Sequence, residues 1–141
     1  DRVVTVENLT SFYEVVNHLP PRTVAVYLGG YHNRPRRELL LKLAASAPLS
    51  FFHWGDIDLG GFRILVHLKA RTGLPIQPLL MDRETYLEHQ ANGMDFSTAY
   101  AKEVGALLDR PDFAPFRATV QEMVRCRRRV EQESVAFRPA W

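Results

Sequence analysis

Two aspartates one residue apart, Asp56 and Asp58, follow directly after an apolar run at residues 49–54. In an extended segment, side chains two positions apart point to the same side, so the two carboxylates project together. Carboxylates held that close repel each other unless a proton or a cation lies between them. Hard oxygen ligands of this kind suit Mg²⁺ or Mn²⁺, which bind one or two carboxylates and keep several water molecules. The spacing therefore predicts a divalent-metal site.

Two other ligand-binding loops do not fit this segment. A calcium-binding EF-hand loop beginning at Asp56 would need an acid or amide at its fifth position and Glu at its twelfth, where Gly60 and His67 stand. A dinucleotide-binding loop needs a different glycine spacing, and the acids would repel its pyrophosphate. An Asx-type turn, in which Asp58 caps the next helix, remains the alternative that needs no ligand.

Gly60 and Gly61 follow the second aspartate and belong to the same motif. Glycines at these positions allow a sharp turn and bring the N-terminus of the next helix close to whatever the acids bind. A phosphate bound there would lie between the metal ion and the helix dipole. A tight turn without a ligand is the alternative interpretation.

The elements that must position these residues can be predicted from hydrophobic patterning. Short β-branched or apolar runs predict strands at residues 3–6, 23–28, 49–54 and 76–81, with Pro78 indicating an edge position for the last. Helical patterns of about ten residues separate these runs. The alternation predicts an α/β fold, with a Rossmann-like parallel sheet of four strands and helices on both faces. Right-handed crossovers then place the carboxyl ends of all strands at one edge, where such sheets bind ligands.

That edge collects acids from three of the four predicted strands. Glu7 follows the first strand, Asp56 and Asp58 follow the third, and Asp82 follows the fourth. We predict that Glu7, Asp56 and Asp58 share the metal site, because only a shared cation makes three clustered carboxylates tolerable. Asp82 is interpreted mainly as a cap for the helix that follows it, and as an extra acid only in second place.

After Asp82 the pattern becomes helical, with helices predicted at residues 83–90, 96–108 and 116–137. We therefore predict a catalytic core at residues 1–95 and a C-terminal helical extension, residues 96–141, packed on it. Glu131 and Glu133 are further candidate acids. On a helix they point about 200° apart, so at most one would reach the metal. Surface ion pairs with nearby arginines are the alternative.

Composition limits the class of protein. The chain has 141 residues, is 46% hydrophobic and 24% charged, and fits one globular domain. A net charge of only +2 means that any basic surface for nucleic acid must be local. The single cysteine, Cys126, cannot form an internal disulfide, which is typical of a reducing compartment. No apolar stretch approaches the roughly 18 to 20 residues of a membrane span.

Two local basic clusters are candidates for contact with DNA phosphates. They contain His32, Asn33, Arg34, Arg36 and Arg37 at the predicted edge, and Arg125, Arg128 and Arg129 near the C-terminus. Solvated loop residues are the alternative for the first cluster. A charged helix face paired with Glu122 and Glu131 is the alternative for the second.

The order and spacing of these motifs resemble the Toprim domain of the JetD family, the nuclease component of bacterial Wadjet plasmid-defence systems. The segments VENLTSFYEVV, VYLGGYHN, FFHWGDIDLGGFRIL, PLLMDRETY and RRVEQESV carry the likeness. It extends over nearly the whole chain, and the family is in turn similar to the topoisomerase VI A subunit.

The resemblance implies a Toprim-like fold with a Mg²⁺ or Mn²⁺ site on Glu7, Asp56 and Asp58. It also implies double-stranded plasmid DNA as substrate, a homodimer, and a full-length protein that works with an SMC-like ATPase complex in the bacterial cytoplasm. The family's N-terminal parts are not represented here, so we expect the isolated chain to be a weak enzyme.

We interpret the chain as a hydrolytic DNA endonuclease, because a topoisomerase of this kind would take its nucleophilic tyrosine from another domain. Two alternatives stay open. One is a non-catalytic fragment for dimerisation or partner binding with a structural metal. The other is nucleotidyl chemistry of the primase or topoisomerase kind.

Overall fold

A four-stranded parallel sheet forms the centre of the computed structural model, which describes residues 1–140. Its strands are β1 (Arg2–Val6), β2 (Thr23–Tyr27), β3 (Ser50–Trp54) and β4 (Gln77–Pro78). They lie in the order β2-β1-β3-β4, and every neighbouring pair is parallel. The predicted α/β fold with a four-stranded parallel sheet is confirmed, and the strand that carries Pro78 does lie at an edge.

Six α-helices connect and flank the strands. They are α1 (Leu9–Asn17), α2 (Arg34–Ser46), α3 (Leu59–Thr72), α4 (Arg83–His89), α5 (Thr98–Ala106) and α6 (Arg117–Cys126). At the start of each of the first five, a side-chain oxygen of the preceding residue accepts a hydrogen bond from a backbone N–H of the first turn. None of the helices within residues 1–140 is long and apolar enough to cross a membrane.

The hydrophobic core runs from the sheet into the C-terminal helices. β1 lies between β2 and β3, and its Val3, Val4 and Val6 are fully buried. Phe62 of α3 stacks on Phe116, which precedes α6, with ring centroids 4.2 Å apart. The sheet and the C-terminal helices therefore share one continuous core.

The C-terminal segment differs from its prediction, because the long helix expected at residues 116–137 ends at Cys126. Arg127 adopts a left-handed conformation, with φ of 57°, which ends the helix. The short strand β6 (Arg128–Arg129) then pairs antiparallel with β5 (Met94–Asp95). Val130 forms one more antiparallel bridge, with Ile57. The tail thus returns to the sheet edge that carries the candidate acids.

Candidate functional site

Glu7 and the two aspartates lie at the ends of adjacent strands. Val6 of β1 pairs with Trp54 of β3, so the residues that follow these strands leave the sheet side by side. The backbone N–H of Asp56 donates a hydrogen bond of 3.3 Å to Glu7 Oε2. The parallel topology therefore brings Glu7 to the same edge as the aspartates, 49 residues away along the chain.

Each of these three carboxylates is anchored through one oxygen only. Glu7 Oε2 accepts from Asp56, Asp56 Oδ1 accepts from the backbone N–H of Gln132 at 2.6 Å, and Asp58 Oδ1 accepts from that of Gly61 at 2.8 Å. Within residues 1–140, the second oxygen of each carboxylate accepts no hydrogen bond. The backbone thus orients three acids and leaves one oxygen of each available to a ligand.

The electrostatics of the site show a shortage of positive charge. Burial and the neighbouring charges of Asp56 and Asp58 raise the pKa of Glu7 to about 7, although the Asp56 N–H opposes the shift. Burial also raises the pKa of Asp56, with smaller contributions from the charges of Asp58, Glu131 and Glu133. A divalent cation would relieve this mutual repulsion.

The carboxylate set fits Mg²⁺ or Mn²⁺ by its chemistry, since hard oxygen ligands with one open oxygen each are what these ions bind. Within residues 1–140, no three Asp, Glu, His or Cys side chains are already arranged to hold a metal ion. The open oxygens would therefore have to turn toward an ion as it binds.

Gln132 is a site residue that sequence reasoning missed. Its side chain is fully buried. The amide accepts from the backbone N–H of Asn8 at 2.9 Å and donates to the carbonyl of Trp54 at 2.9 Å. Together with its backbone bond to Asp56, this ties the tail to the ends of β1 and β3. The only local signal was a lone amide between two acids, which does not indicate such a role.

The two acids that flank Gln132 are exposed. Glu131 and Glu133 were predicted on a helix, but Glu131 is extended and Glu133 lies in a single 3₁₀ turn. Their charges still raise the pKa of Asp56, so both lie near the site. Asp82 differs, because both its oxygens bind Thr85, one the backbone N–H and one the hydroxyl. It is a helix cap.

Tyr100 lies at the start of α3, next to Asp58, and Arg129 lies over its ring. The Tyr100 hydroxyl accepts a hydrogen bond of 3.0 Å from the backbone N–H of Leu59, the first residue of α3. The Arg129 guanidinium lies over the Tyr100 ring, 5.7 Å from its centroid. Burial raises the pKa of Tyr100, and the charge of Asp58 adds to the shift. Arg129 is therefore a cation close to the acidic edge.

The two predicted turn glycines lie in the first turn of α3. A Cβ on Gly61 would overlap the carbonyl oxygen of Asp56, so no larger residue fits there without moving the site. A Cβ on Gly60 would lie 3.3 Å from Asp58 Oδ1, a tight but adjustable contact. The close approach of α3 to the backbone of Asp56 thus requires glycine mainly at position 61.

The first basic cluster is largely occupied with local contacts. His32 is buried and receives a hydrogen bond from Arg37, and Asn33 caps α2. Arg34 forms an ion pair with Glu38 at 2.7 Å. Arg36 donates to the carbonyl oxygen of Tyr27 at 2.8 Å.

In the second cluster, Arg125 pairs with Glu122 at 2.7 Å and Arg128 with Asp95 at 2.9 Å. Ion pairs of partly exposed arginines are weak and can be exchanged for other anions. Both clusters remain candidates for DNA contact, and Arg129 is the member that lies over Tyr100.

Comparisons with known proteins agree with the resemblance seen in the sequence. A family model described as Wadjet protein JetD, C-terminal, matches residues 1–141. The curated Wadjet protein JetD of Bacillus cereus (strain Q1) is 28% identical over 138 residues, which make up 96% of this chain and 34% of that protein. The chain therefore spans about a third of the length of this relative.

Proposed function

Because this chain belongs to the JetD C-terminal family of Wadjet proteins, we propose that it is a divalent-metal-dependent DNA endonuclease domain. Its reaction would be hydrolysis of phosphodiester bonds in double-stranded plasmid DNA, as part of a bacterial plasmid-defence system. The proposed ion is Mg²⁺ or Mn²⁺, and the proposed ligands are Glu7, Asp56 and Asp58.

The observation that carries this proposal is the pattern of used and unused oxygens on the three acids. Each is fixed by one backbone N–H and keeps its other oxygen free within residues 1–140. Asp82, which caps α4, differs because both its oxygens bind Thr85. Three carboxylates, each with one open oxygen, lie at the ligand-binding edge of a parallel sheet, and this favours an ion-binding role.

A bound divalent ion would add positive charge at the scissile phosphate and lower the pKa of a water ligand. The chain contributes orientation, because the N–H groups of Gln132 and Gly61 hold Asp56 and Asp58 in place. The open Oε1 of Glu7 would either bind the ion or accept a proton from the attacking water. Attack by that water on phosphorus would break the bond to the leaving deoxyribose oxygen, which would take up a proton from solvent.

Arg129 is the proposed contact to the phosphate group at the cleavage site. Its guanidinium lies over Tyr100, whose hydroxyl touches the start of α3 beside Asp58. A planar guanidinium can bind two phosphate oxygens at once, which a point charge cannot do. The other basic residues would contribute weaker, exchangeable contacts farther along the DNA backbone.

The partners of the whole protein are proposed from the family alone. They are a second copy of the protein and an SMC-like ATPase complex, in the bacterial cytoplasm. Since the chain corresponds to 34% of its Bacillus cereus relative, regions outside it would supply much of the DNA grip. The isolated chain should therefore cleave plasmid more slowly than the full-length protein.

Plasmid cleavage by full-length variants tests the proposal. Glu7→Gln, Asp56→Asn and Asp58→Asn should each abolish nicking and linearisation in Mg²⁺ or Mn²⁺, because each removes a proposed ligand. Asp82→Asn is the matched control and should cleave like the wild type. Circular dichroism checks that all four variants fold. Wild-type cleavage by any of the first three would remove that residue from the site.

A further inference from the structure

His53 is a buried histidine with one ring nitrogen unused. It lies on β3 and is fully inaccessible to solvent. Within residues 1–140, its Nε2 atom has no hydrogen-bond partner. Buried polar atoms are nearly always paired, so an unpaired one needs a physical explanation.

The other ring nitrogen is held by Thr5. His53 Nδ1 lies 2.9 Å from Thr5 Oγ1, and the same hydroxyl also donates to the carbonyl of Phe52 at 3.2 Å. When the hydroxyl donates to Phe52, Nδ1 must carry the ring proton and Nε2 offers a lone pair. When the hydroxyl turns to Nδ1, Nε2 carries the proton. The Thr5–His53 pair can therefore present either an acceptor or a donor at Nε2.

The register of the sheet directs Nε2 toward Glu7. Thr5 of β1 pairs with His53 of β3. Glu7 lies two residues after Thr5 and Gly55 two residues after His53, so all four lie on one side of their strands. A Cβ on Gly55 would be 2.5 Å from Glu7 Oε2 and 2.8 Å from His53 Nε2. The Glu7 carboxylate and the His53 ring therefore approach each other at the place that a side chain on residue 55 would occupy.

From these contacts we propose that His53 is a positioning residue, whose Nε2 forms a hydrogen bond to the Glu7 carboxylate when that carboxylate turns to bind an ion. Glu7 Oε2 and His53 Nε2 both lie within 3 Å of one point, the Cβ position of residue 55, so a small rotation of the Glu7 side chain brings them into hydrogen-bond range. This inference rests on the proposed metal site and adds His53 as the residue that orients one of the proposed ligands, Glu7.

Binding of Mn²⁺ to the full-length protein, measured from the EPR signal of the free ion, tests this role without any cleavage assay. His53→Phe should weaken binding about tenfold, which is typical when the partner of a metal ligand is lost. His53→Gln should restore most of the affinity, because its amide can donate or accept at a similar reach. Thr5→Val, which leaves the ring but removes its anchor, should weaken binding in the same direction and covers the case in which His53→Phe does not fold.

Double mutants separate a positioning role from general damage. If His53 acts through Glu7, adding His53→Phe to Glu7→Gln should cause little further loss of affinity. Adding it to Asp58→Asn should cause the full loss. Wild-type affinity in both His53→Phe and Thr5→Val overturns the proposal, as does strong ¹⁴N coupling to Mn²⁺, which would make His53 a direct ligand. Wild-type affinity in Glu7→Gln would instead overturn the proposed metal site.

Discussion

Gln132 and Asp56 are 76 positions apart, and the backbone N–H of Gln132 donates a 2.6 Å hydrogen bond to Asp56 Oδ1. The Gln132 amide also binds the backbone of Asn8 and Trp54, at the ends of β1 and β3. One residue of the C-terminal tail therefore holds two strand ends and one candidate ligand. Loosening this contact should affect both the stability of the fold and the geometry of the acids.

Gln132→Leu should lower the free energy of unfolding by about 1 to 3 kcal/mol, because it leaves the partly buried Asn8 N–H without its partner. The Trp54 carbonyl loses one of two hydrogen bonds and keeps the one from the Glu7 N–H. Urea denaturation measures the change. Gln121→Leu is the matched control, since Gln121 is exposed on α6, and should change the free energy by less than about 0.5 kcal/mol. Equal effects from the two variants would contradict the proposal that Gln132 holds the ends of β1 and β3 together.

Without divalent metal, Glu7→Gln should stabilise the protein at pH 8. The folded-state pKa of Glu7 is about 7, above its ordinary value of 4.5, so the fold favours the neutral form. The favourable contribution is complete below pH 4.5 and is lost as the pH rises through 7. At pH 8 the variant should therefore be more stable by roughly 2 to 3 kcal/mol.

Chemical denaturation in EDTA at pH 8 and at pH 4.5 measures this difference. The gain at pH 8 should shrink at pH 4.5, where Glu7 is neutral in the folded state and half ionised in the unfolded state. A wild type as stable as Glu7→Gln at pH 8 would mean that the carboxylate is not strained in the metal-free fold.

Mn²⁺ should raise the melting temperature of the wild-type protein. An ion that binds only the folded state, present at 100 times its dissociation constant, adds about 2.7 kcal/mol of stability. Asp58→Asn should reduce this shift, whereas Asp95→Asn should keep it, because Asp95 pairs with Arg128 and is not one of the proposed ligands. Thermal scans with and without Mn²⁺ compare the three proteins. An equal shift in all three would indicate ion binding elsewhere.

Gly61→Ala should destabilise the protein and displace the backbone at Asp56. The added Cβ would overlap the carbonyl oxygen of Asp56, and overpacking of this kind typically costs about 1 to 3 kcal/mol. Gly60→Ala is the matched control, because its Cβ would lie 3.3 Å from Asp58 Oδ1, a contact that a shift of a few tenths of an ångström relieves. Helix propensity even favours alanine there by roughly 1 kcal/mol. Urea unfolding measures the stability of both variants, and equal stabilities would contradict the close contact between Gly61 and the Asp56 carbonyl oxygen.

Much of this architecture was determined by the sequence alone. Apolar runs separated by helical patterns determined a parallel sheet, and the topology of such sheets brings their strand ends to one edge whatever the distance along the chain. The sequence alone therefore assigns Glu7 to the same edge as Asp56 and Asp58. The cap at Asp82 was predicted for the same kind of reason, since capping depends on residues only three positions apart.

Only the tertiary structure decided the course of the tail and the contacts around the acids. Residues after Cys126 have a helical composition, yet pairing with β5 and with Ile57 outweighs that local preference. Gln132 gains its role, and His53 the role proposed for it, from partners on other strands, which no local spacing encodes. Local propensities are worth a few tenths of a kcal/mol per residue, whereas a buried polar group costs more if it is left unpaired. Long-range hydrogen bonding therefore determined the details of the site.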